Sequence, residues 1–250
     1  MRNKLFIILF TFFAFQLSAE KLEVLKPSKA TLTMKAGDME VWLEKKENNI
    51  WEMGSLVDGG RVFQRKEVSI FELKEDSVIP LDHKMTMKIL FKKIKASARF
   101  NWENLTLDYE QGKNKGSLKL IDGTLGPATA QLKMRMDLRS MDMNALPEKI
   151  KYVVYYREEI KERTYSLKGF EDTETPFGTF NTLRVEREFL PEEEREQIYW
   201  FAPDLDFSIV RILNTDGRKS DLLFSSTSIP NEEINLLKKG SIFLGLLDPF

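Results

Sequence analysis

The sequence predicts a mainly β chain, an α+β domain dominated by one antiparallel sheet. Three observations predict it. Turn-forming clusters of Gly, Asn, Asp and Pro recur at intervals of about ten residues, the spacing of an up-and-down sheet. Between them apolar and polar residues alternate with the period of a half-buried strand. One stretch, 126–139, interrupts this rhythm with a run of good helix formers.

Composition sets the outer bounds. The 250 residues include 38 Lys and Arg, 39 Asp and Glu, one His and no Cys. A chain of this length can bury one sizeable core, and no internal repeat or Gly/Ser linker divides it. The lack of cysteine excludes disulfides, thiol catalysis and most structural zinc sites. The balanced charge argues against general nucleic-acid binding, which needs a basic surface.

The chain is expected to open on an export signal, with a buried N-terminal strand or an uncleaved anchor as the alternatives. Arg2 and Lys4 precede an almost wholly apolar run, Leu5 to Phe15, and a small-residue exit, Gln16-Leu17-Ser18-Ala19. This is the pattern of a secretory signal, and the run is too short for a comfortable membrane span. Cleavage is expected between Ala19 and Glu20. Loss of Arg2 and Lys4 would move the formal net charge from -1 to -3. Three segments result: a signal at 1–19, a β-rich domain at 20–228, and a C-terminal helix and apolar tail at 229–250.

The first half reads as successive hairpins. Pro27 to Met34 forms a strand, Gly37-Asp38 turns, and Met39 to Lys46 returns. Asn48-Asn49 accepts left-handed backbone and makes the next turn. Ile50 to Val57 and Lys66 to Leu73 follow, separated by Asp58-Gly59-Gly60. Val78 to Phe91 is a strand with a break expected near Pro80. Phe100-x-Trp102 and Leu105-x-Leu107-x-Tyr109 alternate, and Lys113 to Gly116 turns into Ser117–Ile121. Within Lys84–Lys95, five lysines interleave with apolar residues. A strand with a solvated lysine face is the preferred reading, and a basic amphipathic segment on anionic lipid is the alternative.

The second half carries the clearest signals. Pro127 suits a first helical turn, and the residues to Arg139 favour helix. Yet Leu132, Met134, Met136 and Leu138 alternate like a strand, so the residues alone leave both readings open. Ile150 to Tyr156 is a strand with Tyr152, Val154 and Tyr156 on one face. Glu162 to Phe170 is the next. Thr175-Pro176-Phe177-Gly178 is a turn, since proline fixes φ and glycine tolerates φ > 0. Alternation then runs from Thr179 to Glu186, and Pro191 with Glu192–Glu194 marks a hairpin tip. Gln197–Phe201, Ser208–Leu213 and Asp221–Thr227 complete the meander. Asn231 to Gly240 is a well-punctuated short helix, followed by the apolar tail Ile242–Phe250.

The motifs Thr175-Pro176-x-Gly178-x-Phe180-x-Thr182, Trp200-x-Ala202-Pro203-Asp204-Leu205 and Val210-Arg211-Ile212 resemble an exported bacterial family catalogued as domain of unknown function 3108. The resemblance extends from about Leu25 to Thr227. Where that family often has a proline, this chain has Ile209, which removes a block to strand pairing and questions an edge role for the strand. The resemblance implies a periplasmic location and a curved antiparallel sheet, a half-barrel, wrapping a helix near 127–141, similar to periplasmic lipoprotein carriers. It implies no established activity.

Chemistry is not announced. His83 has no nucleophile-elbow motif beside it and reads as a surface residue. Asp204-x-Asp206 reads as a turn residue and a strand start. No phosphate loop or dinucleotide fingerprint appears. No catalytic residue, metal ligand or cofactor is therefore expected. The leading expectation is a non-enzymatic protein binding a lipid or lipoprotein acyl chain between sheet and helix, with Met134, Met136, Tyr152, Tyr156 and Trp200 lining the cleft. The alternatives are an envelope assembly factor that binds a protein partner through edge strands or the tail, and a carboxylate-based cell-wall hydrolase. No nucleic-acid partner is expected.

Overall fold

The alternating runs become strands of one sheet. The structure, a computed structural model, describes residues 25–35, 37–156, 158–188, 196–215 and 219–228. The expected signal with its Ala19–Glu20 junction, the expected tip at Glu192–Glu194 and the expected C-terminal helix and tail lie outside the described residues. Eight strands come first: β1 (Ser28–Met34), β2 (Gly37–Lys45), β3 (Ile50–Asp58), β4 (Phe63–Lys74), β5 (Ser77–Ile89), β6 (Lys92–Asn101), β7 (Thr106–Gln111) and β8 (Asn114–Lys119). The helix α1 (Pro127–Ser140) follows. Six more strands complete the described residues: β9 (Lys149–Tyr156), β10 (Glu159–Thr175), β11 (Gly178–Arg187), β12 (Glu196–Ala202), β13 (Ser208–Thr215) and β14 (Lys219–Thr227).

All fourteen strands lie in a single sheet, in the order β8 to β1, then β14 down to β9. Each named pairing is antiparallel and, apart from β1–β14, joins sequence neighbours, as short hairpin connections require. Two meanders thus meet at the β1–β14 seam, where Leu32 faces Phe224. The sheet curls until its two edges approach. Leu125 forms a one-residue parallel bridge to Val154. Its N–H donates to the Val153 carbonyl (2.9 Å), and its carbonyl accepts from the Tyr155 N–H (2.8 Å). Tyr155 also packs edge-on against Phe100 across the gap. The curved sheet around one helix matches the expected fold class.

Local differences have local causes. The break at Pro80 is a register shift: Ile70 faces Asp82 and Phe71 faces Pro80. A proline lacks a ladder donor, so it sits at a bulge. The turn expected at Lys113–Gly116 closes earlier, with Gly112 at φ +63°. Gly116 is instead a strand residue facing Tyr109, where an added Cβ would lie 2.8 Å from the Tyr109 hydroxyl. β13 is an interior strand, paired with both β12 and β14, and Ile209 faces Phe201. The change from proline noted in the sequence fits that position.

The period-two pattern in 132–138 turns out to be helical. Two residues along a helix is a rotation of about 200°, so alternate positions point to opposite sides. Leu132 and Met136 pack with Leu43, Trp51, Phe71 and Val154. Met134 and Leu138 pack with Tyr165, Leu183, Val185, Tyr199 and Phe201. The helix is therefore covered on two sides by the sheet that surrounds it, and strand-like alternation is what such a helix must show. Gly126 begins it, its N–H donating to Thr129 Oγ1 at 2.8 Å, with Pro127 in the first turn.

Candidate functional site: the interior between sheet and helix

Polar residues fill the flanks of α1 between its two apolar stripes. Arg135 donates from Nε to the Asp206 carbonyl and from an Nη to its carboxylate, both at 2.8 Å. Arg139 reaches the other Asp206 oxygen at 2.8 Å. Asp137 accepts from Lys133 and from the Tyr152 hydroxyl at 2.7 Å. Burial, reinforced by the Asp137 charge, pushes the Tyr152 hydroxyl far above its ordinary pKa, so it remains a donor. Burial lowers the Arg135 pKa while Asp206 opposes the shift.

Asp206 reaches the helix because of the turn beneath it. A 3-10 turn at Pro203–Leu205 follows β12, and Asp206 and Phe207 then take φ +56° and +53°. Left-handed backbone suits Asp. It swings the carboxylate toward α1 and places Phe207 in the apolar cluster beside Met134 and Leu138. Sequence reasoning treated Asp206 as a strand start and missed this clamp. The only signal was its place after Ala202-Pro203-Asp204.

The five cleft candidates do not form one lining. Met134 and Met136 are buried at 1% and 7% exposure on opposite sides of α1. Tyr152 touches both apolar clusters and is half-buried. Tyr156 lies at the end of β9, facing Glu159 across the turn. Trp200 is on the opposite sheet face. Its neighbours Tyr199 and Phe201 meet the helix cluster, while Trp200 packs with Phe180, Ile198 and Val210. The Arg211 and Arg184 guanidinium groups lie over its ring at 4.5 and 5.7 Å, and its Nε1 donates to Glu171. It does not line the sheet–helix interior, because residue 200 has the wrong strand parity.

Partly buried apolar residues gather instead beyond the C-terminal end of α1. Met141, Met143, Leu146, Ile150 and Leu167 all pack against the Met134–Leu138 cluster while keeping some exposure. They form the softest edge of the interior, since methionine is flexible and polarisable.

His83 is not the surface residue expected. It is half-buried between β4 and β5, with Nδ1 2.9 Å from Ser69 Oγ. Burial lowers its pKa, against the pull of the Glu67 carboxylate. Ser69 is itself 3% exposed. Among the described residues no three His, Asp or Glu side chains converge as a metal site.

This architecture defines a class of barrel-like proteins built from one strongly curved sheet with a helix inside. The chain is similar to the solved structure described as a beta-barrel-like protein of domain of unknown function DUF1849 from Brucella abortus. That match has a TM-score of 0.52 at 10% identity, covering 82% of this chain and 98% of the other. A looser likeness, with a TM-score of 0.27 at 13% identity, is to a putative lipoprotein from Parabacteroides distasonis, covering 82% and 96% of the two chains. No family model and no curated protein matches the chain. The fold is thus shared with a bacterial protein of unknown function. The resemblance to family 3108 rests on its motifs alone.

Proposed function

We propose that this is an exported, non-enzymatic protein of the cell envelope that holds an apolar ligand between its sheet and α1. The ligand class is a lipid or lipoprotein acyl chain. One observation carries the reading. The methionine-rich end of α1 continues into a partly buried apolar rim of Met141, Met143, Leu146, Ile150 and Leu167. An apolar entrance leading toward a concave, apolar interior is the usual form of a ligand site. Among the described residues the sheet edges are linked in the ladder only through Leu125 and Val154, with Tyr155 packed against Phe100 across the gap. The expected export signal and the motifs that resemble family 3108 support the location.

Native mass spectrometry of the protein purified from the periplasm, with lipid extraction of the same sample, tests this. A defined co-purifying adduct is the expected result. A clean apo mass, together with no binding of a fluorescent fatty acid, would overturn the reading and leave the interior as packed core.

A further inference from the structure

Two hairpin turns at one end of the sheet carry apolar side chains into solvent. Leu90 and Phe91 form the turn between β5 and β6, and Val62 ends the loop between β3 and β4. The Leu90 N–H donates to the Val62 carbonyl at 2.8 Å, so the turns stand side by side. Phe91 is fully exposed, Leu90 is 62% and Val62 61% exposed, and Ile89 adds to the patch.

The β5–β6 turn is not built for stability. A two-residue hairpin turn favours Asn or Gly where φ is positive, but Leu90 occupies φ +52°. Soluble turns are polar, yet here the crest is apolar. Just behind it, Lys88 faces Lys93 directly across the ladder, and like charges so placed repel. These choices all cost folding free energy, and a binding surface accounts for them together.

The charge pattern selects the partner. Arg61, Lys88, Lys92, Lys93 and Lys95 surround the crest, and the one carboxylate in residues 58–63 and 87–95 is Asp58. Asp58 is exposed, but its carboxylate is engaged in the turn, accepting the Gly60 N–H at 2.9 Å, and five cations outnumber it. Between the turns lies a hollow of about 380 Å³ lined by Arg61, Lys88 and Asp58 among others. Apolar side chains foremost, cations in a ring behind, reproduce the layering of an anionic bilayer interface, where acyl chains lie beneath phosphates. Lysine stems can lie along the apolar zone while their ammonium groups stay at the phosphates.

We propose that this tip docks the protein on an anionic phospholipid membrane, with Leu90 and Phe91 inserting and the surrounding cations binding headgroup phosphates. The proposal does not depend on the interior holding a ligand. The opposite end of the sheet supplies a control. Leu105 and Ile121 are exposed there too, but Glu103 and Asp122 flank them and should repel the same surface.

The absence of cysteine allows a site-specific test. The full chain is labelled with the fluorophore NBD in the Phe91→Cys variant and, separately, in the Leu105→Cys variant. Phosphatidylglycerol vesicles should shift the Phe91→Cys label to the blue and brighten it, leaving the Leu105→Cys label unchanged. Phosphatidylcholine vesicles should do neither. In the labelled Phe91→Cys background, the Lys88→Gln/Lys92→Gln/Lys93→Gln combination should weaken the response about fivefold for each lysine removed, and added salt should weaken it further. Far-UV circular dichroism confirms that each variant is folded. An unchanged label at Phe91→Cys, an equal response to neutral vesicles, or full retention by the lysine variant would each overturn the proposal.

Discussion

Asp206 shows how much can depend on one residue. It binds two arginines on α1, and Arg135 is 17% exposed at the side chain. Asp206→Asn preserves the left-handed backbone but removes the charge. The arginines then lose the carboxylate they share. A loss of about 2 kcal/mol is expected, below the usual range for fully buried pairs because Asp206 is one-third exposed. Urea unfolding would measure it, and an unchanged midpoint would show that the clamp contributes nothing. His83 gives a pH signature. Its folded pKa lies below the ordinary 6.5 because burial disfavours the charged ring. The unfolded chain therefore binds more protons just below pH 6.5, so stability is full above that pH and falls as pH drops toward the folded value. Replacing His83 with Gln should remove that part of the acid sensitivity, seen as a flatter stability profile from pH 7 down to the acid limb.

At the scale of elements, α1 is the piece most sensitive to change. Its two apolar stripes are i, i+4 pairs facing opposite walls, so trimming either side leaves a hole that the other cannot fill. Leu138 is fully buried. Leu138→Ala should cost about 2–5 kcal/mol, the range for deleting a buried leucine. A smaller loss, measured by thermal or urea unfolding, would mean that the helix can shift within the sheet, which a ligand-holding interior would require. The strands were readable because turn chemistry and alternation are local. The helix was readable by composition, but its alternation pointed to a strand until its surroundings were known. Trp200 was misplaced for a related reason. Period two tells which residues share a face, but not which face meets the helix.

Across the whole molecule, the sheet has one seam that sequence proximity does not supply. β1 and β14 pair across almost the full length of the described chain, Ala30 facing Thr227. α1 touches the clusters of both meanders, so neither meander should be stable alone. Trp51, in one cluster, and Trp200, beyond the other, should report the same urea transition as far-UV circular dichroism. Two separated transitions would show that the meanders are independent units.

By itself the sequence determined the β-rich class, most strand positions, the hairpin turns, the location of the helix and the absence of disulfide chemistry. Each follows from interactions within a few residues: backbone freedom at Gly, Pro and Asn, and burial of one face of a strand. The tertiary structure decided what distant residues do to one another. It joined the two meanders through β1 and β14, set Asp206 against Arg135 and Arg139, and packed His83 against Ser69. It also put Val62 beside Leu90 and Phe91 to make a single apolar crest. These pairings arise from the curvature and register of the whole sheet, which no local pattern encodes.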